Sequence, residues 1–425
     1  MSLSDFHQYV PKAPAASHRT YRVQVAPLSG TTANPSDRIS FDVPTGNGRR
    51  NVFLDASESF ITFQLKNSSA TAVSLAVDST GYSLFDSLTT LSGGNILEQV
   101  NDYGSMVNAI FDAQLNNQEA AGEGSVLYGC AYTSDQAVNF DKTGQTLTQN
   151  AVLDMSLPLV CSGIFSGAAT KHIPVGLMSD LRLELVLAAL NSGVYSAGAA
   201  SWLLQNIVLN LTYTEIDNGS ADALYNAVGG VYRVSTEGWR NYSTITSASR
   251  NADTVLVPAR FSSVKSLGAY WRPSADITDL TKYSQGNRVN RFPTDGTKFS
   301  VQWSVGSALI PAQPITLQSE VLQMVRQGFH QLGDVSHASR ICRTNWLNSA
   351  SSTTNDEIGT FLTMVNCDQI IGKNLSMTSG FSTLSSPVIL NVAYGAGVST
   401  ADRVNSFSQY DAVLEVSQDG TFMRY

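Results

Sequence analysis

Of the five histidines in the chain, His330 and His337, with Asp334 between them, have the residue types of a two-histidine, one-carboxylate metal site. The spacing crosses Gly333, which reads as a helix stop, so the three side chains need not share a face. A solvated helix end is the simpler account, because a protonated His330 near a helix C-terminus is favoured by the helix dipole. The carboxylate pairs Asp55 with Glu58 and Glu215 with Asp217 have the chemistry of a glycosidase. That reaction needs two carboxyls converging at a defined separation, which spacing along a loop does not supply, so ordinary solvated acids are expected. Ser166, in Ile164-Phe165-Ser166-Gly167, lacks the glycine two residues earlier that a nucleophile elbow requires. Gly296-Thr297-Lys298 and Gly372-Lys373-Asn374 lack the spacing that cradles a phosphate. No catalytic residue, metal ligand or cofactor site is therefore expected, and the chain does not read as an enzyme.

The four cysteines, Cys130, Cys161, Cys342 and Cys367, form no paired metal-ligand spacing and read as free buried thiols. The opening MSLSDFHQYV has no basic-then-apolar signal pattern, so folding in a reducing cytoplasm or nucleus is expected. Trp239, Trp271 and Trp346 lie near strand or loop ends, where a carbohydrate-binding module would place stacking platforms. Core or interface use is the simpler reading.

Those side chains must be carried by a large β-rich framework. The chain of 425 residues is 43% hydrophobic and only 14% charged, well below the roughly 25% charged of an average soluble protein. Its surface is polar through Ser, Thr, Asn and Gln, which are cheaper to desolvate against a neighbour than charges. A net charge of −8 argues against broad neutralisation of a phosphate backbone, so no specific nucleic-acid recognition is expected. Lys12, His18, Arg19 and Arg22 among Pro11 and Pro14 mark residues 1–35 as an N-terminal arm.

Beyond the arm, period-two alternation recurs. Ile61, Phe63 and Leu65 form one apolar row, the leucines from Leu181 to Leu187 a second, and Ile207, Leu209, Leu211 and Tyr213 a third. The middle and the end of the chain repeat one another. A strand-like segment from Leu88 to Val100 runs into Asp102 to Asn117, where Tyr103, Met106, Val107, Ile110, Phe111 and Gln114 recur at helical spacing. Later, Phe299, Val301, Trp303 and Val305 alternate, and Val321, Met324, Val325, Phe329 and Leu332 mark a second helix before Gly333. Val388 to Tyr394 and Tyr410 to Val416 supply closing strands, the latter before an Asp419-Gly420 turn. The pattern implies an all-β fold of two tandem eight-stranded sandwiches, each with a short helix: a first unit over 36–217, a linker over 218–242 broken by Asn218-Gly219-Ser220 and Gly229-Gly230, and a second unit over 243–425. The long polar loops Asn117 to Val152, Arg272 to Thr297 and Arg340 to Asp356 are candidates for contact or exterior surfaces.

Several segments occur in an order that resembles one known family. They are Met155-Ser-Leu-Pro-Leu followed by His172-Ile-Pro-Val-Gly and the Leu181 strand, then Pro258-Ala-Arg with Val264-Lys-Ser-Leu-Gly-Ala-Tyr-Trp-Arg-Pro. Leu309-Ile-Pro precedes the second helix, and Ser379-Gly-Phe-Ser-Thr-Leu-Ser-Ser-Pro-Val and Tyr410-Asp-Ala-Val-Leu-Glu-Val close the chain. From about residue 40 onward the order resembles the double jelly-roll major capsid proteins of tailless icosahedral DNA viruses, the lineage of adenovirus hexon. It is most similar to those of polinton-like viruses and virophages. The resemblance implies a homotrimeric, pseudo-hexameric capsomer that self-assembles into an icosahedral shell, with trimer–trimer lattice contacts. It implies penton and minor capsid proteins as partners, admits an internal membrane, and places the protein in the virion after synthesis in host cytoplasm. A trimeric attachment or carbohydrate-binding β-sandwich protein is the alternative that the sequence leaves open.

Overall fold

A computed structural model describes residues 18–46, 48–130, 143–196, 198, 200–275, 277, 299–329, 339–341, 343–347, 359–368, 380–398 and 400–425. Before residue 218 the strands are β1 (His18–Val25), β2 (Arg38–Val43), β3 (Val52–Asn67), β4 (Leu75–Asp78), β5 (Phe85–Ser92), β6 (Asn95–Asn101), β7 (Thr143–Leu147), β8 (Val152–Pro158), β9 (Leu181–Leu187), β10 (Val194–Ser196) and β11 (Trp202–Ile216). After it come β12 (Tyr232–Ile245), β13 (Arg250–Val257), β14 (Val264–Pro273), β15 (Phe299–Val305), β16 (Ala308–Ile315), β17 (Leu362–Asn366), β18 (Val388–Val398), β19 (Asp402–Ser417) and β20 (Gly420–Arg424). The helices are α1 (Tyr103–Gln114), α2 (Asn117–Ala121), α3 (Glu123–Leu127), α4 (Asn218–Ala227), α5 (Gln318–Gly328) and α6 (Arg343–Trp346).

The first half pairs its strands in the orders β1-β11-β3-β8 and β2-β9-β5-β6, and the second in the orders β12-β19-β14-β17 and β13-β18-β15-β16. Numbering the strands of these sheets one to eight within each half gives the same two orders both times, 1-8-3-6 and 2-7-4-5. All these pairings are antiparallel. In both halves one helix, α1 or α5, follows the fifth of these strands. This is the jelly-roll arrangement, made twice by one chain. The repeated strand order carries the duplication more firmly than any sequence motif, since the number of ways to connect eight strands is large and both halves use one.

Each alternating row seen in the sequence becomes a core face. Ile61, Phe63 and Leu65 of β3 and the leucines of β9 are buried, while Thr62, Gln64 and Lys66 stay half-exposed on the other side. In the second half Phe299, Val301, Trp303 and Val305 of β15 do the same, with Leu390 and Val392 beside them. Trp271, Phe299, Phe361 and Trp346 form a ring cluster with centroids 4.9 to 6.2 Å apart, an arrangement in which each pair adds about 0.5–1.5 kcal/mol beyond its buried area.

The segment from Leu88 to Val100, read as one strand, is a hairpin. Ser92-Gly93-Gly94-Asn95 reverses it, with Gly93 and Gly94 at φ 55° and 83°, a conformation only glycine adopts in succession without strain. The arm expected over 1–35 contributes β1, which pairs along its whole length with β11. The stretch expected as a linker over 218–242 holds α4 and most of β12, whose partner is β19. Asp217 explains the helix start: its carboxylate accepts from the Ser220 backbone N–H at 2.8 Å, an N-cap that also holds this acid below the usual carboxylate range. Helix α5 is amphipathic as read, with Val321 and Val325 buried. Leu332 and Gly333 lie outside the described residues, as do most of the loops Arg272 to Thr297 and Arg340 to Asp356, whereas Asn117 to Val152, expected as a long polar loop, holds α2, α3 and β7 on either side of the undescribed residues 131–142.

One buried ion network ties the ends of β13, β18 and β19. The Arg250 guanidinium donates to Asp253 and Asp402, each at 2.6 Å, and to the backbone carbonyls of Ser247 and Thr400. Side-chain exposures of 7% for Arg250 and 0% for Asp402 mean that water cannot replace a lost partner. Arg250→Ala is therefore expected to destabilise the protein by about 3–5 kcal/mol, read as a fall in the urea midpoint. A change below about 1 kcal/mol would show the network to be solvated.

Candidate functional site

The residues with latent chemistry are occupied elsewhere. Asp55 accepts from the Ser57 hydroxyl at 2.6 Å and Ser57 backbone N–H at 3.1 Å, and its other carboxylate oxygen lies 3.6 Å from His172 Nε2. Glu215 pairs with Arg19 at 2.9 Å and Arg49 at 3.5 Å, whereas Asp217 caps α4. The Ser166 hydroxyl donates to the Ser162 carbonyl on its own turn. His330, Asp334, His337, Gly296-Thr297-Lys298 and Gly372-Lys373-Asn374 lie outside the described residues. Among the described residues no cluster of His, Cys, Asp or Glu has the geometry to hold a metal ion.

Cys130, Cys161 and Cys367 are free thiols. Burial pushes all three up, Cys367 to about 12, so they are poor nucleophiles. Cys342 lies outside the described residues. Trp271 and Trp346 are core residues, and the half-buried Trp239 packs against Phe407 with centroids 6.0 Å apart. None of the three is an open stacking platform for a sugar.

What the fold does build is a polar seam between the sandwiches. One side consists of β6, α1 and the turns after β8; the other is made by β12, β19 and β14. Asp102, directly before α1, sits at its centre in the left-handed conformation at φ 47°. It does not cap its own helix. Its carboxylate instead accepts from Arg272 at 3.2 Å, Arg403 at 3.1 Å and Asn405 at 3.0 Å. One turn on, the Ser105 and Tyr270 hydroxyls share a hydrogen bond of 2.6 Å. The Asn241 amide donates to the Asn101 carbonyl at 3.1 Å, the Thr236 hydroxyl to the Gly163 carbonyl, and the Thr170 backbone N–H to the Ser235 carbonyl at 2.9 Å.

This seam corrects the reading of α1 as an amphipathic helix with one core face. Only Phe111 and Gln114 keep appreciable exposure. Its polar side chains are buried too: Ser105 meets Tyr270, Asn108 accepts from Thr80 at 2.6 Å, and the Asp112 carboxylate lies 3.9 Å from the Arg340 guanidinium. Helical spacing of apolar residues located the helix. No local signal announces Asp102, whose arginine partners stand 170 and 301 residues away.

Glu98 on β6 is the second buried carboxyl of this region, 5% exposed. It accepts from the Thr90 hydroxyl at 2.8 Å, the Gly163 backbone N–H at 2.6 Å and the Ser162 hydroxyl. Burial raises its affinity for a proton, and those hydrogen bonds offset the effect only in part.

The class that these features define is a double jelly roll whose two units are locked together by buried polar contacts. Comparison with solved structures agrees over the whole length. A chain of the PBCV-1 virus capsid matches with a TM-score of 0.62 at 10% identity, covering 99% of each chain. The Faustovirus major capsid protein matches with a TM-score of 0.61 at 11% identity, covering 96% of this chain and 92% of that one. The mavirus major capsid protein gives 0.53 at 9% identity, covering 100% and 94%. The chain thus has the fold of viral double jelly-roll major capsid proteins. No protein-family model matches the sequence, and no curated protein matches it.

The raised Glu98 pKa has a thermodynamic consequence. The folded state holds this proton more tightly than the unfolded chain, so the contribution of Glu98 to stability is fully present below the ordinary glutamate range and is lost as pH rises through it toward the folded value. Glu98→Gln, uncharged throughout, is expected to remove this loss, so that its unfolding free energy declines less than that of the wild type as pH rises above about 4. Equal slopes in urea titrations of the two proteins would contradict this.

Proposed function

We propose that this chain is the major capsid protein of an icosahedral virus and that its function is self-assembly. The observation that carries the reading is the identical strand order of two tandem sandwiches, joined to a fold match that runs end to end with capsid proteins. Three chains bring six equivalent sandwiches to one ring, a homotrimer with a pseudo-hexameric outline that can tile a shell. A surface of hydroxyls and amides suits sides that pack on neighbours, because their desolvation is offset by new hydrogen bonds at lower cost than that of charges. The protein has a structural role in this reading and not an enzymatic one.

The domain division keeps two tandem jelly rolls and moves two bounds: β1, within the arm expected over 1–35, counts with the first jelly roll, and β12, which begins within the connection expected over 218–242, counts with the second. The partners are copies of the chain itself, through trimer and lattice contacts, with penton and minor capsid proteins where hexagonal tiles alone cannot curve. A membrane beneath the shell is compatible with this assembly, and the acidic chain is not assigned a role in reading nucleic acid. The protein resides in the virion, after synthesis in the reducing host cytoplasm and assembly there or in the nucleus.

Light scattering on the purified full-length chain tests the reading. Three chains of 45.6 kDa give about 137 kDa for a closed cyclic trimer. A monodisperse single-chain mass at working concentration would overturn it.

A further inference from the structure

Helix α4, which connects the two sandwiches, is held down along one side. Ala221 is buried. The Tyr225 ring packs on Tyr232 with centroids 6.2 Å apart, and the Arg50 guanidinium lies 4.0 Å over its centroid while reaching the Asp222 carboxylate at 3.3 Å. With Ala221 and Tyr225 turned inward, the helical step of about 100° per residue puts Leu224 and Val228 on the flank away from Asp222, with Ala223 and Ala227 beside them on the outer side. Leu224 is 41% exposed, Val228 is 40% exposed, and both alanines are exposed. A surface helix ordinarily turns such an apolar row toward the core. Here the contacts of Tyr225 and Asp222 fix the helix with the row facing out.

Beside that row the chain enters the fold. His18 pairs with Ile216 and Arg19 with Glu215, so β1 begins against the last residues of β11, and α4 starts directly after them at Asn218. Residues 1–17 precede this entry point. At about 3.3 Å per residue they can reach roughly 55 Å, several times the ~15 Å length of α4. Their sequence places Phe6, Tyr9 and Val10 close together, followed by Pro11, Ala13, Pro14, Ala15 and Ala16, and Lys12 is opposite in sign to Asp217 and Asp222. The row on α4 is far smaller than the roughly 800 Å² per partner that a stable contact between free proteins buries. A segment tethered beside it needs much less, because its effective concentration is already high.

We infer that the apolar row of α4, made by Ala223, Leu224, Ala227 and Val228, receives residues 6–10 of the same chain. The start of the chain then clasps the connection between the two sandwiches. Phe6, Tyr9 and Val10 take Leu224 and Val228 out of water and add an aromatic layer to the side of α4 that its own fold leaves bare. The clasp gathers the start of β1, the end of β11 and the approach to β12 at one end of the molecule. The assignment stands apart from the capsid reading, since it follows from the helix and from where the chain enters the fold, and it holds for a single chain as for a trimer.

Photo-crosslinking of the full-length chain tests it, with p-benzoylphenylalanine in place of Tyr9. Irradiation followed by peptide mass spectrometry is expected to join position 9 to the peptide spanning residues 218–231 in a product of single-chain mass. Leu224→Asp, at an exposed position and with a wild-type thermal melt as the check on folding, is expected to lose that adduct. Should Leu224→Asp melt below the wild type, Val228→Asp takes its place. Adducts that map only elsewhere, no adduct at all, or an α4 adduct whose yield these substitutions leave unchanged would overturn the assignment. An α4 adduct found only in a product of twice the chain mass would overturn it as well, because the segment would then come from a second copy.

Discussion

The relative orientation of the two sandwiches depends on one buried carboxylate. Asp102 occupies a left-handed backbone conformation that costs a non-glycine residue about 1–3 kcal/mol, and its charge is removed from most of the water that would solvate it. Arg272, Arg403 and Asn405 compensate, reaching it from two strands of the second sandwich. Apolar packing alone would join two sandwiches over a range of angles. Directional hydrogen bonds to a fixed carboxylate accept only one, which is the use of buried ion pairs as determinants of register in preference to sources of stability. A repeating assembly needs this, because an error in the angle within a chain accumulates around a ring.

The same constraint explains why two helices at equivalent places in the fold have different surfaces. Helix α1 is sunk in the seam, where Ser105 meets Tyr270 of the second sandwich and Asn108 meets Thr80 of the first. Helix α5 has buried Val321 and Val325 on one side and remains open on the other. Both halves have one strand order, yet only the first of these two helices is sunk between the sandwiches. A polar, weakly charged composition fits both situations, since amides and hydroxyls serve equally against water and against another protein surface.

Much of this was legible in the sequence because strand and helix periodicities are local. The rows at Ile61, Leu181, Ile207, Phe299, Val388 and Tyr410 fall on observed strands, and both helices lie where spacing put them. The Gly93-Gly94 reversal had a local signal in Ser-Gly-Gly-Asn that the longer alternation from Leu88 to Val100 concealed. The Arg250 network and the Asp102 seam had none. Each joins residues separated by 150 positions or more, and an aspartate before a helix reads as a cap until the distant arginines are placed beside it. The tryptophans show the same limit from the other direction: Trp271 and Trp346 sit at strand or helix ends in sequence and inside the core in space.

The account stands most directly on the symmetry of the particle that the purified chain forms. Electron cryomicroscopy of the full-length protein is predicted to show a three-fold object with a hexagonal outline. Six sandwiches would alternate around it. A particle of two sandwiches only, or a two-fold dimer joined through like surfaces, would contradict it.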